Sequence, residues 1–157
     1  MAAGNRWVFG TTAGDRFEIR VTEERAERDG SRVVRVDDSG GDYRLVRIAP
    51  DQATSLLELH RFGHAPATFD PPLVLVPAGA APGTRHQHEA ALRAFDPGGD
   101  SEPQQGTART ELSIGRPETV RAPAGQFPAS LPLDGVIELS WGDGSRHAET
   151  FRVWIAP

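Results

Sequence analysis

Apolar and polar residues alternate with a period of two along most of this chain, the mark of strands with one buried and one solvated face. Phe17, Ile19 and Val21 interleave with Arg16, Glu18, Arg20 and Thr22, and Val34 and Val36 flank Arg35. The polar stretch from Glu23 to Arg32 joins them, with Asp29-Gly30 as a turn dipeptide. A second turn at Asp37–Asp42 leads into a strand over Tyr43–Ile48. Further on, Thr110, Leu112 and Ile114 share one face, Ile137, Leu139 and Trp141 another, and Phe151, Val153 and Ile155 a third. Between the last two runs, Gly142-Asp143-Gly144-Ser145 supplies the positive φ angles of a tight hairpin. Strands joined by turns this short are antiparallel, because parallel neighbours need long crossovers.

Two segments carry mixed signals. Asp51–Phe62 has an Asp at a candidate helix start, yet its strand neighbours and Gly63 favour a strand across Leu56–His60. Thr84–Phe95 has a capping box in Thr84 and Gln87 and a helix-favouring Ala90-Ala91-Leu92, so helix and strand both stand, with a short helix allowed there. Asp96–Gly106, rich in Gly and Pro, reads as a mobile loop. Pro71-Pro72 and the run from Pro77 to Gly83 cut the chain near its middle. Two domains of half this length would each bury a poor fraction of their surface, so residues 1–157 are read as one β domain with a Pro-rich crossing. The expected fold is all-β: an antiparallel meander forming a barrel or strongly curved half-barrel, with a β-sandwich as the alternative. Closure is attractive because it removes exposed edges.

Composition mainly excludes. With no cysteine there is no disulfide framework, thiolate metal site or cysteine nucleophile. The longest apolar stretch, around Leu73-Val74-Leu75-Val76, is far below the ~20 residues of a membrane-spanning helix, so no transmembrane segment is expected. A formal net charge of −5 argues against a nucleic-acid partner. All 17 basic residues are Arg, and they alternate with acids, as cross-strand ion pairing requires. The segment Met1–Arg6 has no basic region followed by an apolar one. The chain is therefore cytosolic, or periplasmic or cell-envelope if a leader has been removed.

The densest motif is Gly115-Arg116-Pro117-Glu118-Thr119-Val120-Arg121-Ala122-Pro123-Ala124-Gly125-Gln126-Phe127: strand, tight turn, strand, with Pro123 and Gly125 at the second and fourth turn positions and Phe127 restarting burial. Together with Pro71-Pro72-Leu73, Gly83-Thr84 and the ending Val153-Trp154-Ile155-Ala156-Pro157, it resembles a family of β-rich bacterial envelope domains of unknown function, many of them periplasmic or lipid-anchored. The resemblance covers residues 71–157. It departs where Arg85-His86 replaces an aromatic and where Pro117 enters a strand stretch. It implies an envelope-associated β domain and brings no catalytic residues. Trp141-Gly142-Asp143-Gly144-Ser145 is also similar to a hairpin of immunoglobulin-like repeats, at the level of turn chemistry only.

Histidine is the first candidate for chemistry. On a strand, His86 and His88 share a face and could both reach a metal, with His60 or His147 as a third ligand; on a helix they point apart. Solvated polar residues in a Gly/Pro-rich neighbourhood are the competing reading, and no cofactor is expected. Asp37, Asp38 and Asp42 offer oxygens but depart from calcium-loop spacing, so an Asp/Gly hairpin turn accounts for them. Glu23, Glu24 and Glu27 beside Arg25 and Arg28 read as a charged loop. No Gly-x-Ser-x-Gly elbow exists, and a phosphate loop is impossible without Lys. The chain is therefore expected not to be an enzyme. Most aromatics fall at inward positions, whereas Trp154 lies opposite Phe151, Val153 and Ile155. Trp141, Phe151 and Trp154 are accordingly the candidate contacts for an apolar ligand.

The first functional expectation is a non-catalytic envelope-associated domain binding an apolar small molecule or lipid in its barrel or curved sheet. The alternative is a structural or protein–protein interaction module docking a partner through exposed strand edges, and a weaker one is a histidine–metal enzyme. Apolar residues on both faces of Phe151–Ile155 favour the first, and a filled interior favours the second.

Overall fold

Alternation becomes strand wherever the sequence carries it. A computed structural model describes residues 1–10, 16–61, 64–95, 102–122 and 125–155, and among them no helix occurs. Eleven strands follow in order: β1 (Arg6–Gly10), β2 (Arg16–Ala26), β3 (Arg32–Asp38), β4 (Tyr43–Ile48), β5 (Thr54–His60), β6 (Ala67–Val76), β7 (Arg85–Ala94), β8 (Gln104–Ile114), β9 (Glu118–Ala122), β10 (Gly125–Trp141) and β11 (Arg146–Ile155). All pairings are antiparallel, in the order β1-β2-β3-β4-β5-β6-β7-β8-β10-β11, with β9 pairing β10 off this path. The sheet is a meander rolled into a strongly curled half-barrel.

Rolling brings the core faces of early and late strands together. One apolar cluster joins Val21, Val34, Val46 and Leu56 to Ala90, Leu92, Ala108 and Leu139. A second gathers Leu112, Ile114 and Leu133, with Val74, Val76 and Phe151 packed against it. The second half of β6 lies between them. Beyond Pro71-Pro72 it leaves β7, pairing only β5 through Leu73, Val74 and Val76. Leu73 and Leu75 then face the first cluster while Val74 and Val76 face the second. A strand covered on both faces reads as a continuous apolar run, which is why this stretch breaks the alternation. The last strand is tied back to the middle of the sheet by Glu149 on β11, which accepts from Arg61, just after β5, at 2.6 Å and from Arg44 on β4 at 3.4 Å.

Of the two readings open for Thr84–Phe95, the structure takes the strand: the segment contributes β7 and no helix. Ala90, Leu92 and Ala94 are buried while their sequence neighbours are exposed, and cross-strand pairing with β8 outweighs the local helical preference. The loop expected over Asp96–Gly106 is shorter, because Gln104–Gly106 already belong to β8 and pair with Leu92–Ala94; residues 96–101 lie outside the described ones. The charged segment after Thr22 is not a loop throughout: Glu23–Ala26 extend β2 beyond a bulge. Phe127 does not restart burial but stands 42% exposed, and Phe95 is exposed too. The side chains of Trp7, Phe9, Phe17 and Phe62 lie outside the described residues.

Candidate functional site

β8 and β9 run along the same side of β10. The register passes from Leu133 opposite Ile114 to Ser130 opposite Glu118 and on to Gly125 opposite Ala122. Among the described residues the neighbouring strands stop earlier: β7 ends against β8 at Arg85 opposite Ser113, and β11 ends against β10 at Leu131 opposite Ile155. β9 and Gly125–Ser130 therefore project as a two-stranded arm, with Phe127 opposite Val120. The arm bends where the register shifts between Phe127 and Ser130, at Ala129, which has φ +55°. A lone two-stranded ribbon is marginal in water.

β11 forms the root of this surface. Its ten residues pair with β10 without a bulge. Among the described residues its other edge has no strand partner. One face carries His147, Glu149, Phe151, Val153 and Ile155; the other carries Arg146, Ala148, Thr150, Arg152 and Trp154. Val153 is 40% and Trp154 44% exposed, so apolar surface stands on both faces of the strand. The Trp154 indole donates to Glu118 Oε1 at 2.5 Å, fastening β11 to the arm. Arg152 grips Asp134 with two hydrogen bonds, and this holds the Asp134 carboxyl below its ordinary range.

The three apolar candidates do not converge. Trp141 packs against the first core cluster and Phe151 against the second, whereas Trp154 lies on the outer face. A shallow open groove of 370 Å³ crosses β7, β8, β10 and β11, with Arg85, His86, Glu111, Asp134 and Phe151 among its lining residues.

His86 and His88 do share a face, as their strand placement requires, and His86 Nε2 lies 3.2 Å from the Thr84 hydroxyl. His88 Nδ1 and the hydroxyl of Thr110, directly opposite on β8, are both buried without a partner. No set of three or more His, Asp or Glu side chains able to hold a metal occurs among the described residues. The Asp37–Asp42 turn uses its own carboxylate: Asp38 Oδ1 accepts from the backbone N–H groups of Gly40 and Asp42.

Sequence reasoning missed a polar network on the outer face of β2 to β5. Arg35 binds Asp37 through two nitrogens, and Thr22 donates to the same carboxylate. The Arg35 guanidinium sits 3.9 Å from the Tyr43 ring centre, and His60 stacks on Tyr43 at 4.8 Å. The Tyr43 hydroxyl donates to Glu58 at 2.6 Å. Burial, and then the Glu58 carboxylate, push the Tyr43 phenol up to about 12. Alternating polar residues on neighbouring strands were the available signal, but only register brings these side chains into one row.

Comparison with protein-family models, curated proteins and solved structures gives no match to this chain. The resemblance to envelope domains therefore rests on its motif residues.

Proposed function

We propose that the chain is a non-catalytic protein–protein interaction module that docks its partner along β11 and the arm. The observation that carries this reading is the long, unbulged, Pro-free edge of β11 with Val153 and Trp154 exposed beside it. Native sheets blunt such edges with short strands, bulges or proline, because bare N–H and C=O groups recruit another strand. The arm is guarded by proline, with Pro117 just before β9 and Pro128 in β10; β11 has neither proline nor bulge, and only the charges of Arg146, Glu149 and Arg152 stand along it. The core face is filled by side chains from both halves of the roll, which weighs towards docking and away from carriage inside the sheet. The motif resemblance suggests the bacterial cell envelope as the setting.

Photo-crosslinking in native cells tests the reading. A benzoylphenylalanine at Trp154 is expected to give discrete protein adducts that the same group at Arg25, exposed on β2, does not. Equal adducts from both positions, or none, would overturn it. A second reading keeps an apolar ligand or lipid on β11, favoured by exposed apolar side chains on its two faces. Native mass spectrometry of the purified protein tests it: an adduct of lipid mass, lost on denaturation, is expected, and a bare mass removes it.

A further inference from the structure

We infer that the strand received by β11 is the β11 of a second copy, paired antiparallel about a two-fold axis at Thr150. This rests on β11 being a docking edge, and it names the occupant. Such an axis stands normal to the sheet and passes through one residue facing its own copy, which leaves few registers. Centring on Glu149 or Arg152 sets like charges opposite each other, which is destabilising. Centring on Phe151 asks for a ring that is already turned inward over Gly135. Thr150 remains. It is exposed, and Thr opposite Thr is a favourable cross-strand pair.

That register also brings Arg146, which among the described residues makes no ion pair in the monomer, towards Glu118. The Glu118 carboxylate there accepts from Trp154 and acts on Arg152 only at longer range. Within one copy Arg146 is eight residues from Trp154, which holds Glu118; at ~3.3 Å per residue that is roughly 26 Å along the strand. Pairing about Thr150 sets Arg146 of one copy opposite Trp154 of the other. The guanidinium then lies beside an exposed indole and the carboxylate bound to it, a cation–π and ionic contact made twice by symmetry. Ala148 faces Arg152, and Glu149 faces Phe151, so no like charges meet directly.

Light scattering across a concentration series should show a dimer. The chain contains no cysteine, so Thr150→Cys introduces one thiol on the axis; mild oxidation should give a covalent dimer. Ala148→Cys should not, because the two thiols would stand four residues, ~13 Å, apart. Arg146→Glu and Glu118→Arg should each raise the dimer dissociation constant by about tenfold or more, and the double variant should restore it. A monomer at every concentration, cross-linking from Ala148→Cys alone, or no rescue in the double variant would overturn self-pairing. If the monomer still gives Trp154-specific adducts with a different protein, self-pairing fails and the docking reading stands. If neither is found, both fail.

Discussion

The ring of Phe151 on β11 lies directly against the backbone of Gly135 on β10, in the place where a side chain at 135 would start. A Cβ on Gly135 would overlap the Cζ, Cε1 and Cε2 atoms of the ring. The two residues are cross-strand partners, and Gly135 sits in the row between Leu112 and Phe151. The glycine is thus required by a close approach, and the aromatic ring covers the hole it leaves. Gly135→Ala should cost ~1–3 kcal/mol by overpacking. Phe151→Ala should also destabilise, but the double variant should be less unstable than the sum, since removing the ring frees the space for the methyl. Urea midpoints of the four proteins decide it; strict additivity would show that the contact carries no strain.

The second half of β6 makes a different demand. Leu73 is fully buried against the first cluster, and Val74 reaches the second. Leu73→Ala should cost ~2–5 kcal/mol, as deletions in close-packed cores do. Val74→Thr keeps the shape and adds a hydroxyl on the other face of the strand, where polar burial is costly. It should destabilise too, whereas the same change on a strand with one wet face would not. Denaturant unfolding monitored by tryptophan fluorescence separates the cases, and an unchanged midpoint for Val74→Thr would show that this face is wet.

How far the sequence carried depended on whether a local signal met a tertiary one. The strand over Tyr43–Ile48 and the hairpin between Trp141 and Arg146 were legible, because period-two burial and turn chemistry agree there. Arg85–Ala94 was not, because Ala90-Ala91-Leu92 is locally helical and only pairing with β8 makes it a strand. The shared face of His86 and His88 followed from spacing once the strand was set. What spacing cannot show is which strand ends a sheet. β11 alternates like its neighbours, and only the pairing order shows that, among the described residues, its other edge has no strand partner. Phe127 likewise has the hydropathy of a core residue, but it sits on an arm that outruns the sheet.

Asp29 shapes the turn between β2 and β3. The Ser31 hydroxyl and backbone N–H both donate to its carboxylate, Arg47 pairs with it, and its acid is lowered to about 2. A carboxyl held below its unfolded value near 3.8 adds stability above that pH, which is lost as pH falls through the folded value. The stability difference between the native chain and Asp29→Asn should therefore be constant above pH 5 and shrink between roughly pH 4 and 2. A difference that persists unchanged at pH 2 would mean the ionised form contributes nothing to the turn.

Tyr43 offers the opposite sign and a clean signal, because the chain contains one tyrosine. Its phenol is half-buried, donates to Glu58 and is pushed up to about 12, from 10.0 for a free phenol. Burial disfavours the phenolate first, and the adjacent carboxylate repels it further. Raising an acid's folded value favours the protonated form, so this contribution is complete below pH 10 and is lost as pH climbs from 10 towards 12. Phenolate absorbance near 295 nm should titrate about two pH units higher in the native protein than in denaturant. Glu58→Gln removes the negative charge and leaves an acceptor, so it should bring the midpoint part of the way down while the burial effect remains. Coincident curves in native and denatured protein would show that the phenol is solvated, and the stack of Arg35, Tyr43 and His60 would then not hold in solution.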